Sequence, residues 1–155
     1  MVDIKEAGRL LSDDDIVSLE RRIGCRLPEP YRRFLLRYNG GRPTPDADTI
    51  DIEHLPGSPT DVGDFFGIDD PVGSCNIEWN IEALKGRIAD HLLPVACDSG
   101  GNRFCISLSP NDYGSVVYCD FGPGFGFHVS ESVIYYKVAP SFDSFIERIR
   151  SLENN

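Results

Sequence analysis

An α+β fold is the expectation for this chain, and three observations carry it. Apolar residues recur at helical spacing near the start, over residues 12–38, and again near the end, over 140–153. The second half between them holds short runs rich in β-branched, aromatic and cysteine residues, separated by clusters of Gly, Pro, Asn and Asp. The two kinds of segment are segregated along the chain rather than alternating, which disfavours βαβ units and a parallel sheet. The predicted architecture is two N-terminal helices, a mostly antiparallel central sheet with a hairpin near 93–109, and a C-terminal helix. With 155 residues the chain is long enough for one core without disulfide staples, so one domain spanning 1–155 is expected.

The first helix is predicted within SDDDIVSLERRIGCRLP, residues 12–28. Ser12 is a natural cap, and Asp13, Asp14 and Asp15 favour the positive start of a helix. Ile16, Leu19 and Ile23 share a face, and Gly24 is a natural stop. The aspartate run lacks the interleaved glycine and distant glutamate of a calcium loop. The second helix is predicted within LPEPYRRFLLRYNGGRP, residues 27–43. Pro28 and Pro30 suit a helix start, where a missing N–H costs little. Tyr31, Phe34, Leu35 and Tyr38 form an apolar stripe, which at this spacing is core rather than a stacking platform. Asn39-Gly40-Gly41 supplies left-handed backbone for the stop.

Residues 42–61, rich in Pro and Asp, read as a surface loop with a short strand at Thr49 to Glu53. VGDFFGI, residues 62–68, reads as a strand, although adjacent Phe65 and Phe66 break the alternation. Ile77, Ile81, Leu84 and Ile88 recur at helical spacing, and Gly86 keeps that helix short. Trp79 lies off this stripe, and the pattern leaves both a packed and an exposed position open to it.

LLPVAC, NRFCISL, SVVYCDF and ESVIYYKV then read as an antiparallel meander. In LPVACDSGGNRFCISLS, residues 93–109, the Gly-Gly pair supplies the positive φ angles of a tight hairpin turn. A turn centred on Gly100-Gly101 sets Asp98 opposite Arg103, Cys97 opposite Phe104 and Val95 opposite Ile106. Cys97 and Cys105 then point to opposite faces, whereas a one-residue shift would set them opposite each other. PSFDSFIERIRSLE, residues 140–153, is predicted as a helix capped by Ser141, with Phe142, Phe145, Ile146, Ile149 and Leu152 inward.

Composition restricts the function. The net charge is −10, from 25 acidic and 15 basic residues, and a surface of this sign repels phosphates. Direct nucleic-acid binding is therefore not expected, whereas a basic partner would be attracted. The five cysteines show no CxxC spacing, which fits free thiols in a reducing compartment. No charged-then-apolar leader pattern opens the sequence, and no apolar run approaches the roughly 20 residues that span a bilayer. A cytoplasmic protein without membrane association is expected.

Catalytic and cofactor motifs are missing from the pattern. Asp98-Ser99-Gly100-Gly101-Asn102 has neither the lysine of a P-loop nor the spaced glycines of a dinucleotide loop, and a strand rather than a helix follows it. Cys97 and Cys105, with His91 nearby, lack the close ligand pairs of structural zinc. Cys119 with His128 can be written as a nucleophile pair, but no signature surrounds it. Asp69-Asp70 stands in a turn before proline, where acidic residues are ordinary. No catalytic residue, metal ligand or cofactor is expected.

Four segments, in this order and spacing, resemble the SUKH superfamily, which includes yeast cell-wall-synthesis regulators and many bacterial immunity proteins. They are LPEPYRRFLLRYNGGRP, LLPVACDSGGNRFCISLS, SVVYCDF and APSFDSFIERI, and together they cover roughly 12–150. The resemblance implies the same α+β architecture and a non-enzymatic role. It implies an immunity protein that binds and neutralises a partner toxin, such as a nuclease or deaminase of a polymorphic or contact-dependent system. A regulatory adaptor or scaffold for a cellular protein is the alternative. No catalytic residues carry over, and no binding residues either, because partner surfaces vary among members. The acidic loop around Asp46, Asp48, Asp51 and Glu53 is the candidate contact for a basic toxin domain.

Overall fold

In the computed structural model, which describes residues 2–45, 47–122 and 133–150, helix α1 runs over Asp13–Ile23 and starts at the predicted cap. Ser12 Oγ accepts the Asp15 N–H at 3.3 Å while the Asp15 carboxylate accepts the Ser12 N–H at 2.8 Å, a reciprocal capping box. Gly24 ends the helix with φ of 74° and open space around its Cα. Helix α2, Glu29–Arg37, buries Tyr31, Phe34 and Leu35 as the stripe predicts.

The turn after α2 joins the helices to the rest. Asn39 is buried, and its side chain accepts the Ile68 N–H at 2.7 Å and donates to the Ile68 carbonyl at 3.0 Å. Gly40 has φ of 95°, and a Cβ there would lie 3.0 Å from the Phe65 carbonyl oxygen, so the close crossing of two backbones requires glycine.

Residues 62–68 differ from the predicted strand. On one side the Phe65 N–H donates to Gly41 at 2.8 Å, and on the other the Phe66 N–H donates to Val95 at 2.8 Å. The segment therefore switches partners between the α2 turn and the sheet, and it forms only isolated bridges, at Phe65 and at Gly67. That switch explains why two adjacent phenylalanines are both buried, where a regular strand would expose one.

The central sheet contains β5 (Leu92–Cys97), β6 (Arg103–Ser107), β7 (Val116–Asp120) and β8 (Ile134–Ala139), antiparallel in sequence order. The four strands before them, each of two residues, make two smaller ladders: β1 (Ile4–Lys5) with β2 (Arg42–Pro43), and β3 (Thr49–Ile50) with β4 (Thr60–Asp61). The strand predicted over Thr49 to Glu53 is thus reduced to its first two residues. Helix α3 covers Ile77–Leu84, with Asn76 as its cap, and ends before the predicted Ile88.

The hairpin forms one residue out of the expected register. Cys97 pairs with Arg103 and Ala96 with Phe104, and a bulge at Val95 then sets Pro94 against Cys105. Asp98 causes the shift. Instead of facing Arg103 across the strands, its carboxylate turns inward and accepts the N–H groups of Gly100 and Asn102 at 3.0 and 2.9 Å and the Thr60 hydroxyl at 3.2 Å. Tyr118 Oη donates to it as well. Cys97 pairs with Arg103, which shares a face with Cys105 two residues on, so the shift puts the two cysteines on the same face of the sheet rather than on the opposite faces expected, with Pro94 rather than Cys97 directly across from Cys105.

The inner face of the sheet packs on the helices through aromatic rings. Phe104 meets Phe145 at 5.1 Å, and Phe142 meets Phe34 at 5.0 Å and Tyr31 at 5.1 Å between centroids. Such pairs contribute about 0.5–1.5 kcal/mol each beyond burial. Leu84, Leu92, Cys105, Cys119 and Phe121 form a smaller cluster on the outer face. Helix α4, Phe142–Arg148, is shorter than the predicted 140–153. Arg150 leaves the helix to exchange backbone hydrogen bonds with Thr49, at 2.9 and 2.8 Å, and Leu152 lies outside the described residues.

Candidate partner-binding face

Beside β7 and β8 lies a groove of about 790 Å³. Val117 and Tyr135, on these strands, contribute to its floor, and His91, Asp112, Glu53 and Arg148 also line it. Alternation builds this floor. Cys119 pairs with Tyr135 and Val117 with Lys137 across β7 and β8, so each pair shares one face. Tyr135 is 44% exposed, and its Oη accepts the Ala89 N–H at 3.1 Å, which anchors the tip of the side chain. An aromatic body held at its polar end presents apolar area with little conformational freedom left to lose.

Glu53 comes from the loop singled out for its acidic residues. Arg148 donates to the Asp51 carbonyl at 2.5 Å, and Arg150 pairs with the Asp51 carboxylate. The Asp48 carbonyl accepts the Val62 N–H at 2.6 Å. Glu53 projects into solvent with its side chain 85% exposed, next to the equally exposed His54 at 3.6 Å. Asp46 lies outside the described residues. Asp51 and Glu53 therefore differ in situation: Asp51 is bound to an arginine, while Glu53 stands on the groove. The groove itself is mixed in charge, lined by Lys137 and Arg148 as well as by Glu53 and Asp112.

The cysteines are placed as packing residues. Cys105 and Cys119 are fully buried, with sulfurs 3.7 Å apart on neighbouring strands. Burial, with the neighbouring Cys119, pushes the Cys105 thiol well up. Burial pushes the Cys75 thiol up to about 11, helped by the carboxylates of Asp64 and Asp70. It raises that of Cys97 as well. Thiols held protonated at neutral pH are weak nucleophiles and weak metal ligands. His128, the suggested partner of Cys119, lies outside the described residues. Among the described residues, no group of three or more His, Cys, Asp or Glu side chains is placed to hold a metal ion, and no helix is long and apolar enough to cross a membrane.

Two features escaped the sequence reading. Tyr135 was legible only as part of a strand; the adjacent pair Tyr135-Tyr136 was the available signal, since alternation must send one ring to each face. Trp79 is exposed, at 48%.

Comparison with known proteins fits this architecture. The chain is similar to the SPbeta prophage-derived uncharacterized protein YokK of Bacillus subtilis (strain 168), at 25% identity over 158 aligned positions that cover 91% of this chain and 77% of the relative. The model of the SMI1 / KNR4 family (SUKH-1) matches residues 10–148, from the stretch before α1 to the last residue of α4. With nearly the whole chain matched, and with helices at both ends of an antiparallel meander, this protein belongs to the SMI1 / KNR4 family (SUKH-1).

Proposed function

We propose that the protein is a non-enzymatic binding protein, an immunity protein that captures and neutralises a cognate toxin domain in the cytoplasm. The toxin class is a nuclease or deaminase of a polymorphic or contact-dependent system, with a basic surface. The observation that carries this reading is the exposed groove at β7 and β8, lined by Tyr135 and, from the acidic loop, by Glu53. Aromatic area surrounded by charges of both signs is the composition of a protein-binding surface rather than of a catalytic cleft. Family membership supports a protein partner, and the prophage origin of the relative suits genes carried as toxin–immunity pairs. The net charge of −10 would steer a basic toxin toward the molecule and raise its association rate.

Contact is assigned to the loop carrying Asp46, Asp48, Asp51 and Glu53, with Tyr135 as the apolar anchor. Co-expression with the domain encoded by the neighbouring gene tests the function: protection from its toxicity is expected, and failure to protect counts against it. For the surface, Tyr135→Ala is expected to weaken the complex about 30-fold or more. The double variant Asp48→Lys/Glu53→Lys is expected to slow association about tenfold at low salt, an effect that shrinks as salt rises. Unchanged affinity and unchanged salt dependence in the double variant would remove the acidic loop from the interface.

A further inference from the structure

We infer that Trp79 is the anchor of a second contact surface, built to seat a basic protein partner that offers a shallow apolar pocket to the indole. The inference rests on the reading of the chain as a partner-binding protein, and it names a surface that shares no residue with the groove. Trp79 is the only tryptophan of the chain. It stands exposed in the first turn of α3, and Val72, which immediately precedes Gly73 in the chain, is 56% exposed. Its ring lies beside Gly73, where a Cβ would sit 3.5 Å from the indole Cδ1.

The platform beneath the indole is fixed. Asn76 Oδ1 accepts the Trp79 N–H at 3.1 Å, which sets the first turn of the helix. The next residue, Asn80, is fully buried; it donates to the carbonyls of Ser74 and Asn76 at 3.0 and 2.9 Å and accepts from Arg103 Nε on β6 at 3.0 Å. With Asn80 held inward against the sheet, its neighbour on the helix turns outward. An aromatic side chain on a rigid element loses little entropy on binding, the property of an interface hot spot.

The chain on both sides of this anchor is acidic: Asp69 and Asp70 precede Val72, and Glu78 and Glu82 share α3 with Trp79. Arg9 bridges Asp15 at 3.1 Å and Asp69 at 2.6 Å. Arg22 bridges Glu78 at 3.1 Å and Glu82 at 3.8 Å. Each arginine serves two carboxylates, so each triad keeps a net negative charge. Asp70 adds another carboxylate and accepts the Val72 N–H at 2.9 Å. The two triads also tie both ends of α1 to the segment that carries Val72 and Trp79, bracing it from each side. An apolar centre flanked by acidic residues fits a basic surface; a second copy of this chain would set like charges against each other.

The lone tryptophan makes the test direct. Full-length protein is titrated with the purified, catalytically inactivated domain encoded by the neighbouring gene. The emission of Trp79 is followed with corrections from a tryptophan-free Trp79→Phe variant. A shift to shorter wavelength and a severalfold drop in acrylamide quenching are expected on complex formation. By calorimetry, Trp79→Ala is expected to weaken binding 30-fold or more, with Trp79→Phe recovering part of the loss, while the thermal stability of both variants stays near wild type. If the domain binds but leaves Trp79 emission and quenching unchanged, and Trp79→Ala binds as wild type does, this second surface is overturned while the partner reading stands. If wild-type protein does not bind the domain at all, the partner reading falls and this surface with it.

Discussion

Asp98 is the residue on which the hairpin tip depends. It is 6% exposed, and its carboxylate accepts the Gly100 and Asn102 N–H groups, the Asn102 side-chain amide, the Thr60 hydroxyl and Tyr118 Oη. Its removal would orphan two backbone N–H groups, the Thr60 hydroxyl and Tyr118 Oη together. Leaving buried donors unpaired is costly, so Asp98→Ala is expected to destabilise the protein by about 2–4 kcal/mol in denaturant unfolding. A loss within experimental error would show that the loop is held by backbone geometry alone. Asp98 and Arg103 were readable in the sequence as a charge pair, but not the direction in which Asp98 turns. That direction is set by Thr60 and Tyr118, which are 38 and 20 residues away.

Elements meet where glycine permits it, and two glycines after helices separate backbone geometry from crowding. Gly24 and Gly40 both have positive φ, but only Gly40 has backbone atoms of another segment against it. Gly24→Ala is expected to cost about 1 kcal/mol, the strain of a left-handed alanine. Gly40→Ala carries that strain and also forces the 62–68 segment away from α2, so a cost of about 2 kcal/mol or more is expected. Paired chemical-denaturation curves of the two variants check this, and equal losses would mean that the crossing at Gly40 yields freely. Helix positions were legible because caps and stripes are local. The end of α4 was not, because its last turn gives way to a bridge between Thr49 and Arg150, 101 residues apart.

Across the whole molecule, the aromatic core couples folding to alkaline pH. Burial raises the Tyr31 hydroxyl far above its ordinary value, and among the described residues that hydroxyl has no hydrogen-bond partner. Burial, followed by the adjacent Asp98 carboxylate, raises Tyr118 similarly. The native state thus favours the protonated phenol at both positions. Their contribution to stability is complete below the ordinary tyrosine value of about 10 and is lost as pH rises above it. Of the six tyrosines, Tyr31 and Tyr118 are therefore expected to ionise only as the protein unfolds, seen as tyrosinate absorbance rising together with loss of circular dichroism. Titration of all six near the ordinary value in a still-folded protein would contradict the burial of these two rings.

The sequence by itself determined the α+β class, both N-terminal helices with their caps and stops, the antiparallel meander, the inward aromatic stripes and the family resemblance. All of these are written in spacings of a few residues, where one side chain constrains the next turn or the alternate face. Only the tertiary structure decided the hairpin register, the divided partners of residues 62–68, the meeting of Cys105 with Cys119, and the outward turn of Trp79. It also decided the fate of the acidic loop, where Arg150 binds Asp51 and leaves Glu53 on the groove. Each of these outcomes depends on groups distant in the chain competing for the same buried space or the same charge. Composition counts such groups but does not say which of them meet.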